Sequence, residues 1–197
     1  GSMPHLAADP VTVAAEIVLA LQVAVTRQFD ALDPVVVSVG SLHAGTTDNV
    51  IPSTAEIAAT VRTFSEETHA VVGDRLVRVV EGIVAAHGLT AQVRWVRGYP
   101  TTVNVAAEVD RAERLVTGLV GPQGWFTSPR PISGSEDFSY VLQRVPGAYL
   151  GLGATPQGVD PAVAAYNHSA GARFDESALP VGAAVLAALA LDRLAQG

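Results

Sequence analysis

The sequence predicts an α/β (α+β) chain in two parts, each with fewer strands than a complete sheet needs. Three observations predict this. Apolar spacing switches between a helical and a strand period in the order α-β-β-α-β over residues 10–97. Beyond residue 103, helical stretches surround a single short apolar strand. The 49% hydrophobic fraction against 16% charged residues gives 197 residues enough apolar side chain for a core.

The elements follow in order. Asp9-Pro10 starts a helix, because Asp accepts from free backbone N–H groups and Pro suits the first helical position. Val13, Ile17 and Leu21 repeat every four residues and place that helix over about 10–28. VVVSVGSL is β-branched and apolar, hence a strand, and HAGTTDNVIPST is a turn rich in Gly, Asn and Pro. AEIAATVRTF is a second strand. Ser65 caps a second helix with Glu66 and Glu67 in its first turn. Val72, Leu76, Val79, Val80 and Ile83 form its apolar stripe, and His87-Gly88 ends it. In AQVRWVRG, Val93 and Trp95 alternate with Gln92 and Arg94, the pattern of a half-buried strand.

One strand in front of this order would complete the βαββαβ pattern of ferredoxin-like folds. Its first strand is central, so the predicted sheet has a gap between the strand near 55–64 and the strand near 92–96. The expectation is a chain that begins just after its own first strand. An open central position invites pairing, so an oligomer, aggregation or a rearranged sheet is expected. Gly1-Ser2-Met3 reads either as a cloning remnant or as native sequence.

The second part holds a helix at about 105–120, the Gly/Pro-rich GPQGWFTSPRPISG, a helical SEDFSYVLQRV and a short strand in GAYLGLGA. NHSAGARFD then leads to a helix at about 176–195. Two segments are expected, 1–103 and 104–197.

Composition narrows the function. A net charge of −7 argues against nucleic acid, which needs a basic face. The absence of cysteine removes disulfides, thiolate nucleophiles and zinc–sulfur sites, and fits a cytoplasmic location. GAAVLAALALDRLAQG is read as too short and alanine-rich to span a bilayer, so no membrane partner is expected.

Three stretches carry polar groups that a core does not need. In GSEDFSY, Glu136 and Asp137 follow a Gly-Ser turn. They read either as first-turn acids of a helix capped by Ser133 or Ser135, or as carboxylates aimed into a cleft. In YNHSAGARFD, His168 lies in a loop, where an imidazole binds a metal, moves a proton or is simply solvated. One such ligand makes no zinc site, which needs at least three protein groups. In HAGTTDNVIP, His43 and Asn49 could meet a substrate, and Arg62 on the next strand could clamp a carboxylate; the plainer reading is a turn asparagine and a surface arginine. His69 and His87 read as structural.

Taken in order, GSMPHLAADPV, LDPVVVSVGSLHAGTTDNVIP, VRTF, RGYPTTVN, GSEDFSYVLQRVPGAYLGLG and NHSAGARFDESALPVGAAVL resemble the M20 metallopeptidases, in their branch of aminoacylases, hippurate hydrolases and auxin-conjugate hydrolases. The resemblance covers nearly the whole chain. It implies a lid, or dimerisation, domain over 1–103 without its first strand, and over 104–197 the C-terminal part of a zinc-peptidase-like α/β catalytic domain. It implies that His168 is a metal ligand, that Asn49 and Arg62 lie near the substrate, and that Glu136 stands at the active-site edge. Relatives read His-Ser/Asn-Pro-x-Phe/Tyr-Asp, whereas here Ala170-Gly171 lengthens the loop and the proline is lost.

The implied reaction is hydrolysis of N-acyl amino acids or related amides with divalent metal ions (zinc, manganese, cobalt or nickel). The implied partners are a small amide substrate and a second copy of the lid. The general-base glutamate has no counterpart in these residues, so no catalytic residue is assigned and the chain alone is expected to be inactive and to hold no metal tightly. The alternative is a non-catalytic dimerisation or small-molecule-binding module derived from the same family.

Overall fold

Asp9 opens α1 (Pro10–Gln28) by accepting a hydrogen bond from the Val11 N–H, with Pro10 at the first helical position. The structure, a computed structural model, describes residues 1–195. It divides into two compact units. The first is Gly1–Thr101 with Pro131–Ser139, and the second is Thr102–Arg130 with the chain from Tyr140 onward. Residues 131–139 thus gather with the first unit although their neighbours in sequence belong to the second.

In the first unit, α1 buries Val13, Ala14, Ile17, Leu21 and Ala24, one face at helical spacing. The strands β1 (Val36–Ala44) and β2 (Ala55–Arg62) pair antiparallel, from Val36 opposite Arg62 to Ala44 opposite Ala55. Gly40 is the extra residue where the register shifts between Val39 and Ser41. The second helix, α2 (Glu66–Ala86), starts at Ser65, whose hydroxyl accepts from the Thr68 N–H. It ends in the sequence-predicted His87-Gly88, with Gly88 at φ +68° and the Leu89 N–H returning to the Val84 carbonyl. Val72 and Leu76 join Val13, Ile17, Leu21, Val35 and Val37 in one core, and Val79, Val80 and Ile83 pack against it half-buried.

Asp33 ties the start of β1 to the start of α2. Its Oδ2 accepts from the Ser65 hydroxyl and the Thr68 hydroxyl, each at 2.5 Å. Those two hydroxyls, Ser65 first, hold the Asp33 carboxyl below its usual value of 3.8, against a smaller opposing effect of burial. The depressed folded-state pKa means that the stabilisation is complete above the unfolded pKa and fades as pH falls through the lower folded value. Asp33→Asn should therefore cost about 1 kcal/mol near neutral pH. In urea titrations at pH 7 and pH 3 the gap between the two proteins should narrow at the lower pH; a gap that widens there would contradict the assignment.

The strand predicted near 92–96 is not formed. Residues 91–100 carry no ladder, because a strand exists only against a partner and the β1–β2 pair is the whole sheet among the described residues. The segment is held by its side chain instead. The Trp95 indole lies over Gly73 of α2, so closely that a Cβ on Gly73 would come within 2.7 Å of the ring. The Thr101 N–H donates to Glu66 at 2.7 Å.

In the second unit, α3 (Ala106–Val120) buries Ala112 and Val116 and ends at Gly121, φ +85°. The last helix, α5 (Ala178–Ala195), faces α3 through charges. Arg193 meets Glu108 at 2.5 Å, and Arg111 lies 3.8 Å from Glu108 and 3.5 Å from Asp192. The strand predicted in GAYLGLGA is also absent as a ladder. Asn104 takes the place of a neighbouring strand: its side chain accepts from the Tyr149 N–H at 2.7 Å and donates to the Tyr149 carbonyl at 3.2 Å. The Val105 N–H adds a bond to the Gly147 carbonyl. The helix predicted over SEDFSYVLQRV shrinks to α4 (Ser139–Leu142), so neither Ser133 nor Ser135 caps it and Glu136 and Asp137 precede it.

Both α1 and α5 are long and apolar enough to cross a membrane by length and composition alone, which corrects the expectation that the C-terminal stretch is too short. In α1 the apolar residues Val13, Ile17 and Leu21 belong to the core, whereas α5 buries none of its side chains.

Candidate functional site

The β1–β2 hairpin positions two of the four sequence-predicted site residues. Asn49 lies in the turn between the strands, which Gly45 enters at φ +70°. Its side-chain oxygen accepts from the Thr47 hydroxyl at 3.2 Å, and Asn49 is exposed. The backbone at residue 1 rests on the same turn, where a Cβ on Gly1 would meet the Asn49 carbonyl at 2.5 Å.

Arg62 is the last residue of β2, opposite Val36, while the turn adjoins the Ala44–Ala55 pair. At about 3.3 Å per residue, the length of β2 carries Arg62 roughly 20 Å from the turn end. Asn49 and Arg62 therefore stand at opposite ends of the hairpin. Strand alternation also sets the face. Ile57 and Val61 pack on the core, so Glu56, Ala58, Thr60 and Arg62 project from the other side of β2.

The structure brings Arg62 to the segment that bears Glu136. Its guanidinium donates to the Ser133 carbonyl at 2.8 Å. Glu136 is half-buried, and its carbonyl accepts from both the Ser139 N–H at 3.2 Å and the Ser139 hydroxyl at 2.6 Å. Ser139 is fully buried. Sequence reasoning missed it, although a serine three residues after Glu136 has the spacing of such a turn.

His168 belongs to the second unit. It is exposed, and its ring lies beside Tyr166, centroids 5.9 Å apart and planes tilted by 39°. The turn after it is built on Ser169, whose carbonyl accepts from the Ala172 N–H and whose hydroxyl accepts from the Gly171 N–H. The same stretch is anchored at its end, where the Asp175 N–H donates to the Ala154 carbonyl at 2.8 Å. Hydrogen bonds from Ser177, first its hydroxyl and then its backbone, hold the Asp175 carboxyl below the usual range.

Among the described residues, no three of His, Asp and Glu gather closely enough to hold a metal ion. The donor set of this chain thus does not fit a metal by itself, since a protein zinc site takes at least three ligands. The histidines read as structural have partners of their own: His69 shares a hydrogen bond with Thr63, and His87 Nε2 lies 2.7 Å from Glu16.

Comparison with known proteins adds what this geometry cannot. A family model described as peptidase family M20/M25/M40 matches residues 25–192. The chain is 33% identical to thermostable carboxypeptidase 1 of Saccharolobus solfataricus over 97% of its own length and 47% of that protein. It is 34% identical to an IAA-amino acid hydrolase of Arabidopsis thaliana, covering 98% of the chain and 44% of the relative. Among solved structures it resembles a dinuclear metal-binding M20 peptidase of Bacillus subtilis, with a TM-score of 0.70 and 30% identity over 94% of this chain and 46% of that one. The chain spans about half the length of the curated relatives it matches.

Proposed function

The chain belongs to peptidase family M20/M25/M40, and on that footing we propose that it is a portion of a metal-dependent amidohydrolase acting on N-acyl amino acids or related amides. The observation that carries this reading is similarity along nearly the whole chain to a carboxypeptidase and to an IAA-amino acid hydrolase, two names that both denote cleavage of an amide bond.

In this reading the first unit is a ferredoxin-like lid that pairs with a second copy, and the second unit is part of the catalytic domain. His168 is the one imidazole offered to a divalent ion, whose ligand set other residues of the complete enzyme would finish. That ion, when bound, supplies Lewis acidity to the amide carbonyl and an activated water. Asn49 serves substrate binding, Arg62 lies near the substrate, and Glu136 stands at the edge of the site. Because Asn49 and Arg62 lie at opposite ends of one hairpin, they address different parts of the substrate or different sites. The setting is cytoplasmic, and neither nucleic acid nor a membrane is a partner. A non-catalytic binding or dimerisation module derived from the same family is the second reading.

Hydrolysis of N-acetyl amino acids separates the two. The full-length protein carrying this sequence should lose activity on chelation and regain it with zinc, manganese, cobalt or nickel. The 197-residue chain alone should show none. Metal-dependent turnover by the isolated chain would overturn the assignment of the general base to other residues, and an inert full-length protein would favour the binding module.

A further inference from the structure

We propose that Arg62 is a positioning residue that fixes the 131–139 segment, and with it Glu136, on the open side of the β1–β2 hairpin. The inference deepens the reading of the chain as part of an amidohydrolase and rests on it for its catalytic consequence, but not for its structural one.

Residues 131–138 form no helix or strand, and Pro131 to Ser135 are exposed. Such a segment keeps its conformational freedom unless specific bonds hold it. Two anchors do so. Ser139, buried beneath it, binds the Glu136 carbonyl through its hydroxyl and N–H. Arg62 binds the Ser133 carbonyl at 2.8 Å. Gly134 and Ser135 lie between these bonds, so removing Arg62 releases the hold at Ser133. The segment clusters with the first unit while residues 102–130 and those from 140 onward do not. Arg62 is therefore a specific long-range bond, 71 residues away in sequence, that places Ser133 on β2.

The arginine suits this task by chemistry. Its side chain leaves β2 on the face opposite Ile57 and Val61, where no core contact competes for it. Its guanidinium presents a fork of donors fixed in geometry. This role differs from clamping a substrate carboxylate: Arg62 would act on the reaction through the position of Glu136.

Hydrogen exchange on the full-length protein carrying this sequence tests the structural half directly. Arg62→Met should speed exchange of the Ser139 amide, which donates to the Glu136 carbonyl, about fivefold, the factor matching loss of one hydrogen bond of net worth near 1 kcal/mol. The α1 amides should not change. Arg62→Lys, which keeps a charged donor, should retain part of the protection. Unchanged exchange at the Ser139 amide in Arg62→Met would overturn the proposal.

Kinetics of the full-length protein test the catalytic half. A positioning role predicts that Arg62→Met lowers kcat by about tenfold or more, since small misplacements are costly, with KM little changed. The loss should be equal for an N-acetyl amino acid and for its α-carboxamide. A loss confined to the substrate with a free carboxylate, entering through KM, would instead make Arg62 a substrate clamp. If the full-length protein hydrolyses neither substrate, the amidohydrolase reading fails while the exchange result still decides the anchor.

Discussion

His168→Ala in the full-length protein will lower amide hydrolysis by about a hundredfold or more and reduce the metal bound, while leaving the stability of the metal-free protein nearly unchanged. The size follows from comparison with milder changes: losing a group that merely orients a ligand costs about 10–100-fold, so losing the ligand itself should cost at least the upper figure. The near-neutral stability follows from the structure. His168 is exposed, and its turn is held by Ser169 and by the Asp175–Ala154 bond rather than by the imidazole. Surface changes of this kind stay within about 0.5 kcal/mol. Metal content by mass spectrometry, kcat/KM and a thermal melt of the metal-free protein together check it. Full activity with full metal content would make His168 an ordinary solvated loop histidine.

Leu76→Ala will destabilise the first unit by about 3 kcal/mol, within the range for emptying a buried leucine site. Leu76 is 3% exposed and sits in one cluster with residues of α1, α2 and β1. The cavity would open among β-branched side chains, which have restricted rotamers and refill space poorly. Leu19→Ala is the control, because Leu19 is 69% exposed on α1 and its loss should cost under about 0.5 kcal/mol. Urea unfolding followed by Trp95 fluorescence, in a Trp125→Phe background, reads both variants in the first unit. Equal midpoints for the two would mean that the core does not lie where Leu76 is buried.

Helices were the legible part of this protein, because their signals are local. Asp9-Pro10 and Ser65 start α1 and α2 through bonds to N–H groups two or three residues away. The Val13, Ile17, Leu21 repeat marks the buried face of α1 directly. Strands were legible only where a hairpin joined both partners. β1 and β2 formed as read, apart from the bulge at Gly40. Residues 92–96 and the GAYLGLGA stretch have strand-like sequence, yet neither has a ladder, since alternation describes one strand and pairing needs two. In their place Trp95 settles on Gly73, and Asn104 bonds both backbone groups of Tyr149.

The site divides along the same line. The residue types at Asn49, Arg62, Glu136 and His168, and the ordered motifs that carry them, were readable in the sequence, as was the family that the comparisons show. Their grouping was not. That Arg62 reaches the Ser133 carbonyl, 71 residues on, and that Asn49 lies at the far end of the same hairpin, came only from the folded chain. By itself the sequence determined the caps, the helical stripes, the turn chemistry and the kinship, all properties of neighbouring residues or of their order. Tertiary structure decided which strands found partners and which polar groups met, because hydrogen bonds between distant segments depend on where packing puts the backbone.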